Sequence, residues 1–415
     1  TSLAKQIALD KGLDFKVAER TKNMYALGMV AFIFDRDLDI LSKQIELKFK
    51  KNPVIAEVNI EVLKAGYIYA ESIESVESRY HVPTAKLPKG RYRNLCGNIA
   101  TAWGLLAASE RSGRSLFLGS YPITPATDIL VELASRKSLN AKVMQCEDEI
   151  AGICSAIGAS YAGSMAVTST SGPGLSLKSE AIGLAVMTEL PLIIVDVQRG
   201  GPSTGLPTKS EQADLLQVLY GRNGSCPCIV IAATSPSDCF ESAYTAAKLS
   251  MEHMTPVILM TDGYIGQGTE LFRIPKVADL PPINPPIAKK NDTNYKPYRR
   301  DEKTLARQWA LPGTEGLEHR VGGLEKSDVF GAVSTDPMNH EKMVRFRNEK
   351  VQRIADYIPE QEIIGDESGE LLVVSWGGTK GQTYVAVREL QKEGKKISLA
   401  HFKYIMPLPK NTANV

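Results

Sequence analysis

Ser115-Leu-Phe-Leu-Gly-Ser-Tyr-Pro-Ile-Thr-Pro125 decides how this chain is read. An apolar, strand-like run ends in a glycine and opens into a loop stiffened by two prolines, each of which fixes its own φ. Three more segments repeat that logic downstream: Gln145-Cys-Glu-Asp-Glu149, Ser169-Thr-Ser-Gly-Pro-Gly174 and Val197-Gln-Arg-Gly-Gly-Pro-Ser-Thr-Gly205. Each follows an apolar run and carries polar residues or glycines. In open α/β sheets ligands sit beyond the carboxyl ends of the strands, so four decorated strand ends point to one shared cleft.

Working outward, strands are expected at Ser115 to Leu118, Lys142 to Gln145, Met165 to Thr168, Leu192 to Val197, Ile229 to Ala233 and Val257 to Met260. Near-continuous Val/Ile/Leu runs separated by helical stretches indicate a parallel sheet covered on both faces. The expected fold class is therefore α/β, a doubly wound parallel-sheet domain over residues 94–278. Residues 1–70 read as helical, with a last helix starting at Pro53 and stopping at Gly66. Residues 71–93 read as a linker, and 279–365 as an extended arm with a helix, too long for an ordinary connection. From 366 a second α/β unit opens with Leu371-Leu-Val-Val-Ser-Trp376 and a helix to Glu393. The chain begins with Thr1 and stops soon after a strand-like segment, so it is expected to be a portion of a longer protein with incomplete end domains.

A net charge of +2 with 23% charged residues gives no global field that would select nucleic acid or a membrane surface. No stretch has the roughly 18 apolar residues of a spanning helix, and no signal peptide opens the chain, so a cytoplasmic protein is expected. Six cysteines are too few and too irregular for a disulfide framework, and no Cys-x-x-Cys or four-cysteine set stands ready for a metal or cluster. The histidines, at 81, 253, 319, 340 and 401, lie outside the four loops and are expected on the surface or satisfied in the core, which disfavours triad hydrolysis.

Within the loops, Glu149 carries the most weight. It follows a strand and opens an apolar helix with Glu147 and Asp148 beside it, a pattern equally explained by the preference of acidic residues for a first helical turn. Thr124 presents a hydroxyl from a stiff loop, or caps a helix with Pro125 at its first position. Ser171-Gly-Pro-Gly174 has no following Lys-Ser/Thr pair, Lys178 coming too late, and is read as a tight strand-to-helix turn rather than a phosphate cradle. Arg199 offers paired planar donors suited to a carboxylate, with Ser203 and Thr204 as neutral donors and glycines that allow close backbone approach.

Taken together, Gly119 to Thr127, Glu147-Asp-Glu-Ile-Ala-Gly152, Ile157 to Gly163, Thr170-Ser-Gly-Pro-Gly174 and Asp196 to Thr208 resemble the alpha subunit of 2-oxoacid:ferredoxin oxidoreductases, of the type in which a gamma domain precedes alpha, as in 2-oxoglutarate:ferredoxin oxidoreductase. Lys22 to Gly28, Leu311 to Glu325 and Tyr404 to Lys410 extend the likeness along nearly the whole chain. The resemblance implies a thiamine diphosphate pyrimidine-binding-type domain, preceded by the end of a gamma-type domain and followed by a partial transketolase C-terminal-like domain. It implies that Glu149 is catalytic and hydrogen-bonds the cofactor's pyrimidine N1′, that Tyr121, Pro122 and Ile123 line the cofactor, and that Thr124, Arg199, Ser203 and Thr204 bind the substrate. It further implies a beta subunit holding the diphosphate, its Mg2+ and a [4Fe-4S] cluster, with ferredoxin, coenzyme A and a 2-oxoacid as reactants, in an (alpha-beta)2 heteromer. The pattern departs at Asn223-Gly-Ser225, where the family often has His-Gly-Glu or His-Gly-Asp. Pyruvate and branched-chain 2-oxoacids therefore stay open beside 2-oxoglutarate, as do a non-catalytic subunit and a thiamine enzyme without electron transfer.

Overall fold

The computed structural model describes residues 2–74, 78–83 and 85–415; of the expected linker, residues 75–77 and 84 lie outside the described residues. The chain divides into two compact units, 1–89 and 90–415.

The first unit is built of helices Ser2–Asp10, Phe15–Arg20, Lys22–Ile33, Leu38–Lys48 and Pro53–Ser72. Their starts follow local chemistry. Asp14 accepts the Val17 N–H and Asp37 the Asp39 N–H, satisfying donors that a helix N-terminus leaves over. Ala4, Ala8, Ala18, Val58 and Val62 form a small-residue core. The expected stop at Gly66 does not occur: the helix runs on to Ser72. Gly66 serves packing instead, because a Cβ there would collide with the main-chain carbonyl of Tyr25 on the neighbouring helix.

The second unit holds twelve strands: β1 Tyr92–Cys96, β2 Leu116–Ser120, β3 Ala141–Gln145, β4 Met165–Thr170, β5 Leu192–Gln198, β6 Ile229–Ala232, β7 Pro256–Asp262, β8 Thr269–Arg273, β9 Ile363–Ile364, β10 Leu371–Trp376, β11 Ile397–Phe402 and β12 Tyr404–Met406. Seven of them form the main sheet in the order β12-β6-β7-β5-β4-β2-β3, all parallel except β12, which runs antiparallel to β6. The strands are apolar on both faces because both faces are covered. One face packs Leu118, Val167, Ile193, Val195 and Leu259 on helices Gly97–Ser112 and Asp238–His253; the other packs Ala166, Ile194, Val230 and Ile258 on helices Glu149–Tyr161 and Ser179–Thr188. Each fully buried Val, Leu or Ile contributes about 1.5–3 kcal/mol, so these two layers dominate the stability of the unit.

The chain steps from β2 outward to β3, then crosses back over β2 to β4 and continues to β5. The direction of winding reverses between β2 and β4, which opens a crevice beyond their carboxyl ends. Around this sheet lie an antiparallel ribbon of β1 with β8 and a three-stranded sheet in the order β10-β11-β9. The segment after β11 returns to the main sheet through β12, and Lys403 pairs with Asp238 at 2.6 Å.

Residues 281–336 wrap the main sheet with isolated bridges such as Ile287 to Trp309 and Lys326 to Val333 rather than long ladders. Side chains anchor them. Trp309, buried, donates its indole N–H to the Ser160 carbonyl at 3.1 Å. Glu189, at the end of helix Ser179–Thr188, is buried and paired with both Arg300 and Lys350, while Arg307 donates to the Thr188 carbonyl at 3.1 Å. Among the described residues no helix is long and apolar enough to cross a membrane.

Candidate functional site at the switch point

Two walls of the crevice are built differently. The first is the start of helix Glu149–Tyr161, pressed against the end of β2. Gly119 makes this approach achievable, since a Cβ there would meet the Gly152 carbonyl and the Ser155 hydroxyl. Ser120 ties the end of β2 to β4 by donating to the Ser169 carbonyl at 2.6 Å, and the Cys146 N–H donates back to the Ser120 carbonyl at 2.9 Å.

The three adjacent acidic residues of this wall separate into three roles. Glu147 is exposed. Asp148 caps the helix, its carboxylate accepting the Ala151 N–H at 2.7 Å, so the first-turn preference accounts for this residue. Glu149 is only 8% exposed, yet its carboxylate has no hydrogen bond or ion pair to any described residue. Its oxygens are not among the fully buried unpartnered atoms, so the tip of a largely buried side chain stays free to accept a hydrogen bond from a ligand. It lies against the turn that follows β4: a Cβ on Gly174 would stand 2.8 Å from Glu149 Cγ and 3.0 Å from Oε1. Ser171-Gly-Pro-Gly174 is thus a tight turn into helix Gly172–Leu177, and its glycine leaves room for a carboxylate.

The second wall is the loop after β2 with the loop after β5. Thr124 is exposed in a turn, and helix Thr127–Ser135 begins later, with Ala126 at its cap position. The capping role considered for Thr124 and the helical position considered for Pro125 are therefore corrected; the Thr127 N–H bonds to the Ile123 carbonyl, and the helix starts two residues later than expected. Arg199 is buried, and Nη1 donates to the Thr124 carbonyl at 2.7 Å while Nη2 donates to the Thr204 carbonyl at 2.9 Å. It fastens the two loops through main-chain oxygens, and its Nε has no partner among the described residues. A guanidinium carries five N–H donors, so the side chain keeps capacity for a further acceptor. Asn98, buried behind the loop, donates to the Pro125 carbonyl at 2.8 Å. Ser203, with φ at +56°, and Thr204 lie exposed on the loop after β5, and Tyr121 is exposed at the start of the loop after β2, with Pro122 and Ile123 partly buried.

Three residues were not singled out from sequence. Lys178 has no solvent exposure, and its ammonium donates to the main-chain oxygen of Glu149 at 2.8 Å. Asp196 lies inside β5, in register with Thr170, and is fully buried beside Asp214. Burial, reinforced by that second carboxyl, holds Asp196 well above the usual carboxylate range, and neither of its oxygens has a hydrogen-bond partner among the described residues. A charged residue within an otherwise apolar strand, and a lysine among small apolar helical residues, were the available signals. The histidines include two in the core, and neither is fully satisfied as expected: His401 bonds Ser375 through Nδ1 at 2.7 Å but its Nε2 has no partner among the described residues, and His253 has an unpartnered Nδ1.

Residues 111–338 match the family described as pyruvate flavodoxin/ferredoxin oxidoreductase, thiamine diphosphate-binding. The chain belongs to this family. The 2-oxoglutarate oxidoreductase subunit KorA of Mycobacterium tuberculosis is 50% identical over 97% of this chain and 62% of that protein. The 2-oxoglutarate synthase subunit KorA of Methanothermobacter marburgensis is 32% identical over 75% of this chain and 81% of the relative. Among solved structures, 2-oxoglutarate:ferredoxin oxidoreductase from Magnetococcus marinus, with 2-oxoglutarate, coenzyme A and succinyl-CoA bound, superposes with a TM-score of 0.88 at 34% identity, covering 98% of this chain and 69% of the other. The chain spans 62% and 64% of the length of two full-coverage relatives, from M. tuberculosis and Aeropyrum pernix. Membership makes the doubly wound sheet the family's thiamine diphosphate-binding domain, and its residues suit that group: a carboxylate on a largely buried side chain, without a partner among the described residues, stands at the switch point, where a nitrogen heterocycle finds an acceptor.

Proposed function

We propose that this chain is the alpha subunit of a thiamine diphosphate-dependent 2-oxoacid:ferredoxin oxidoreductase that converts 2-oxoglutarate, coenzyme A and oxidised ferredoxin to an acyl-CoA, carbon dioxide and reduced ferredoxin. The observation that carries the proposal is Glu149 at the reversal of winding, a residue only 8% exposed whose carboxylate has no partner among the described residues. When bound, thiamine diphosphate supplies the electron sink that decarboxylation needs and no side chain provides. Glu149 holds a proton between its carboxylate and the pyrimidine N1′, while Tyr121, Pro122 and Ile123 line the ring. Thr124, Ser203 and Thr204 orient the 2-oxoacid, and Arg199 holds its carboxylate with the donors left over from the two loop carbonyls.

The partner is a beta subunit that carries the diphosphate, its Mg2+ and a [4Fe-4S] cluster, assembled as an (alpha-beta)2 heteromer in the cytoplasm. A partner at this face is supported by Tyr121, Met144, Ile150 and Leu177, apolar side chains between 40% and 53% exposed on the elements that frame Glu149. Residues 1–70 are assigned to the end of a gamma-type domain and 366–415 to the start of a transketolase C-terminal-like domain. The choice of 2-oxoglutarate is supported by the names of the M. tuberculosis and M. marburgensis relatives.

The test is viologen reduction by the reconstituted alpha-beta complex across a panel of 2-oxoacids, with and without coenzyme A. The expected result is coenzyme A-dependent reduction with 2-oxoglutarate preferred, lost by at least about a hundredfold in E149Q with assembly intact. Near-normal turnover in an assembled E149Q complex overturns the assignment; preference for pyruvate, or aldehyde release without viologen reduction, overturns the substrate or the reaction.

A further inference from the structure

Lys178 stands where helices Gly172–Leu177 and Ser179–Thr188 meet, directly behind the first turn of helix Glu149–Tyr161. It has no solvent exposure, and the bond to the Glu149 carbonyl is the one hydrogen bond its ammonium makes among the described residues. Two effects oppose an ammonium at this spot. Burial strips its hydration, and the positive end of a helix dipole lies next to it. An apolar side chain of similar length would meet neither penalty, so packing does not explain a lysine here. The titratable groups facing it are Glu149 and Asp148 in the helix's first turn, Cys154 one turn further and Cys146 after β3. Of the two carboxylates, Asp148 is already engaged by the Ala151 N–H, which leaves Glu149 as the charge without another partner.

We propose that Lys178 is a positioning residue for Glu149, fixing the main chain at that residue and setting a positive charge behind its carboxylate so that the carboxylate is held in place at the crevice. The inference rests on the proposed role of Glu149 toward the pyrimidine ring and adds the residue that controls it. Lys178 touches neither substrate nor cofactor; it acts through the carboxylate. Burial brings its own titration down to about 8, against the opposing pull of Glu149, so its charge is lost as the pH rises through that value.

The experiment uses the assembled alpha-beta complex loaded with thiamine diphosphate and measures the rate at which the bound cofactor exchanges its C2 proton for deuterium, read by NMR after acid quench, alongside cofactor affinity. K178M is expected to slow exchange about tenfold or more with affinity changed far less, and K178R to restore it. K178M exchanging at the wild-type rate in a folded complex overturns the proposal. Should K178M fail to assemble, K178R decides: wild-type exchange falls as the pH passes about 8, whereas arginine stays charged and moves that fall to higher pH. Superimposable pH curves for wild type and K178R overturn the proposal. Failure of the underlying reading is separate, because it shows as unimpaired exchange in E149Q.

Discussion

Gly174 lies against Glu149: a Cβ at 174 would stand 2.8 Å from Glu149 Cγ and closer still to Thr170 Oγ1, so the carboxylate chain and that hydroxyl together fill the space any larger residue would need. G174A therefore pushes the carboxylate out of place and crowds Thr170. The expected outcome is a roughly ten- to hundredfold fall in turnover of the assembled complex, with a stability loss of only about 1–3 kcal/mol by thermal denaturation. Normal turnover in G174A would show that this contact does not place Glu149.

Arg199 joins two loops by donating to main-chain oxygens of Thr124 and Thr204. Lysine keeps the charge but cannot bridge two acceptors with a planar fork. R199K is expected to raise KM for the 2-oxoacid by about ten- to a hundredfold while cofactor affinity stays close to wild type. Titration of initial rates against 2-oxoacid concentration checks this, and an unchanged KM would remove Arg199 from substrate binding.

The Glu189 carboxyl meets a strong penalty from burial, which Lys350 and Arg300 outweigh to hold it down at about 2, below the ordinary 4.5. A depressed value in the folded state means that the stabilisation is full above the unfolded value and drains away as pH falls from about 4.5 toward 2. E189Q leaves two buried cations without their anion and is expected to lose about 3–5 kcal/mol near pH 7. The difference from wild type should shrink below pH 4.5, which melting curves between pH 3 and 7 would reveal.

Asp196 behaves in the opposite sense. Burial and Asp214 raise its value in the folded state, so the folded chain binds more protons than the unfolded one, and stability falls as pH climbs from 3.8 toward the raised value. D196N keeps the size of the side chain and removes the group that titrates. The advantage of wild type over D196N should therefore decline with rising pH in the same melting measurement; a constant difference would show that Asp196 is not raised in the folded chain.

Much of this was legible in the sequence, for identifiable reasons. β5 reads as a buried strand because Leu192 to Val197 is apolar on both faces but for Asp196, and it is found at Leu192–Gln198. The crevice was legible because prolines and glycines punctuate the ends of β2, β4 and β5. The helix after β2 was placed too early, since the preference of proline for a first helical position cannot be told from its place in a turn without knowing where the Thr127 N–H bonds. Gly66 was read as a stop because nothing local reveals a neighbouring helix pressed against it. Lys178 escaped notice because its partner is a main-chain atom 29 residues earlier. Such long-range contacts to backbone leave no trace in side-chain pattern.

The clamp formed by Arg199 grips carbonyl groups, which every amino acid possesses. The shape of that wall is thus insulated from the identity of the residues displayed on it. Exchanging Ser203 or Thr204 can retune which acyl chain is accepted while the scaffold holds its form, a separation that lets specificity drift in evolution and gives library design a natural starting place.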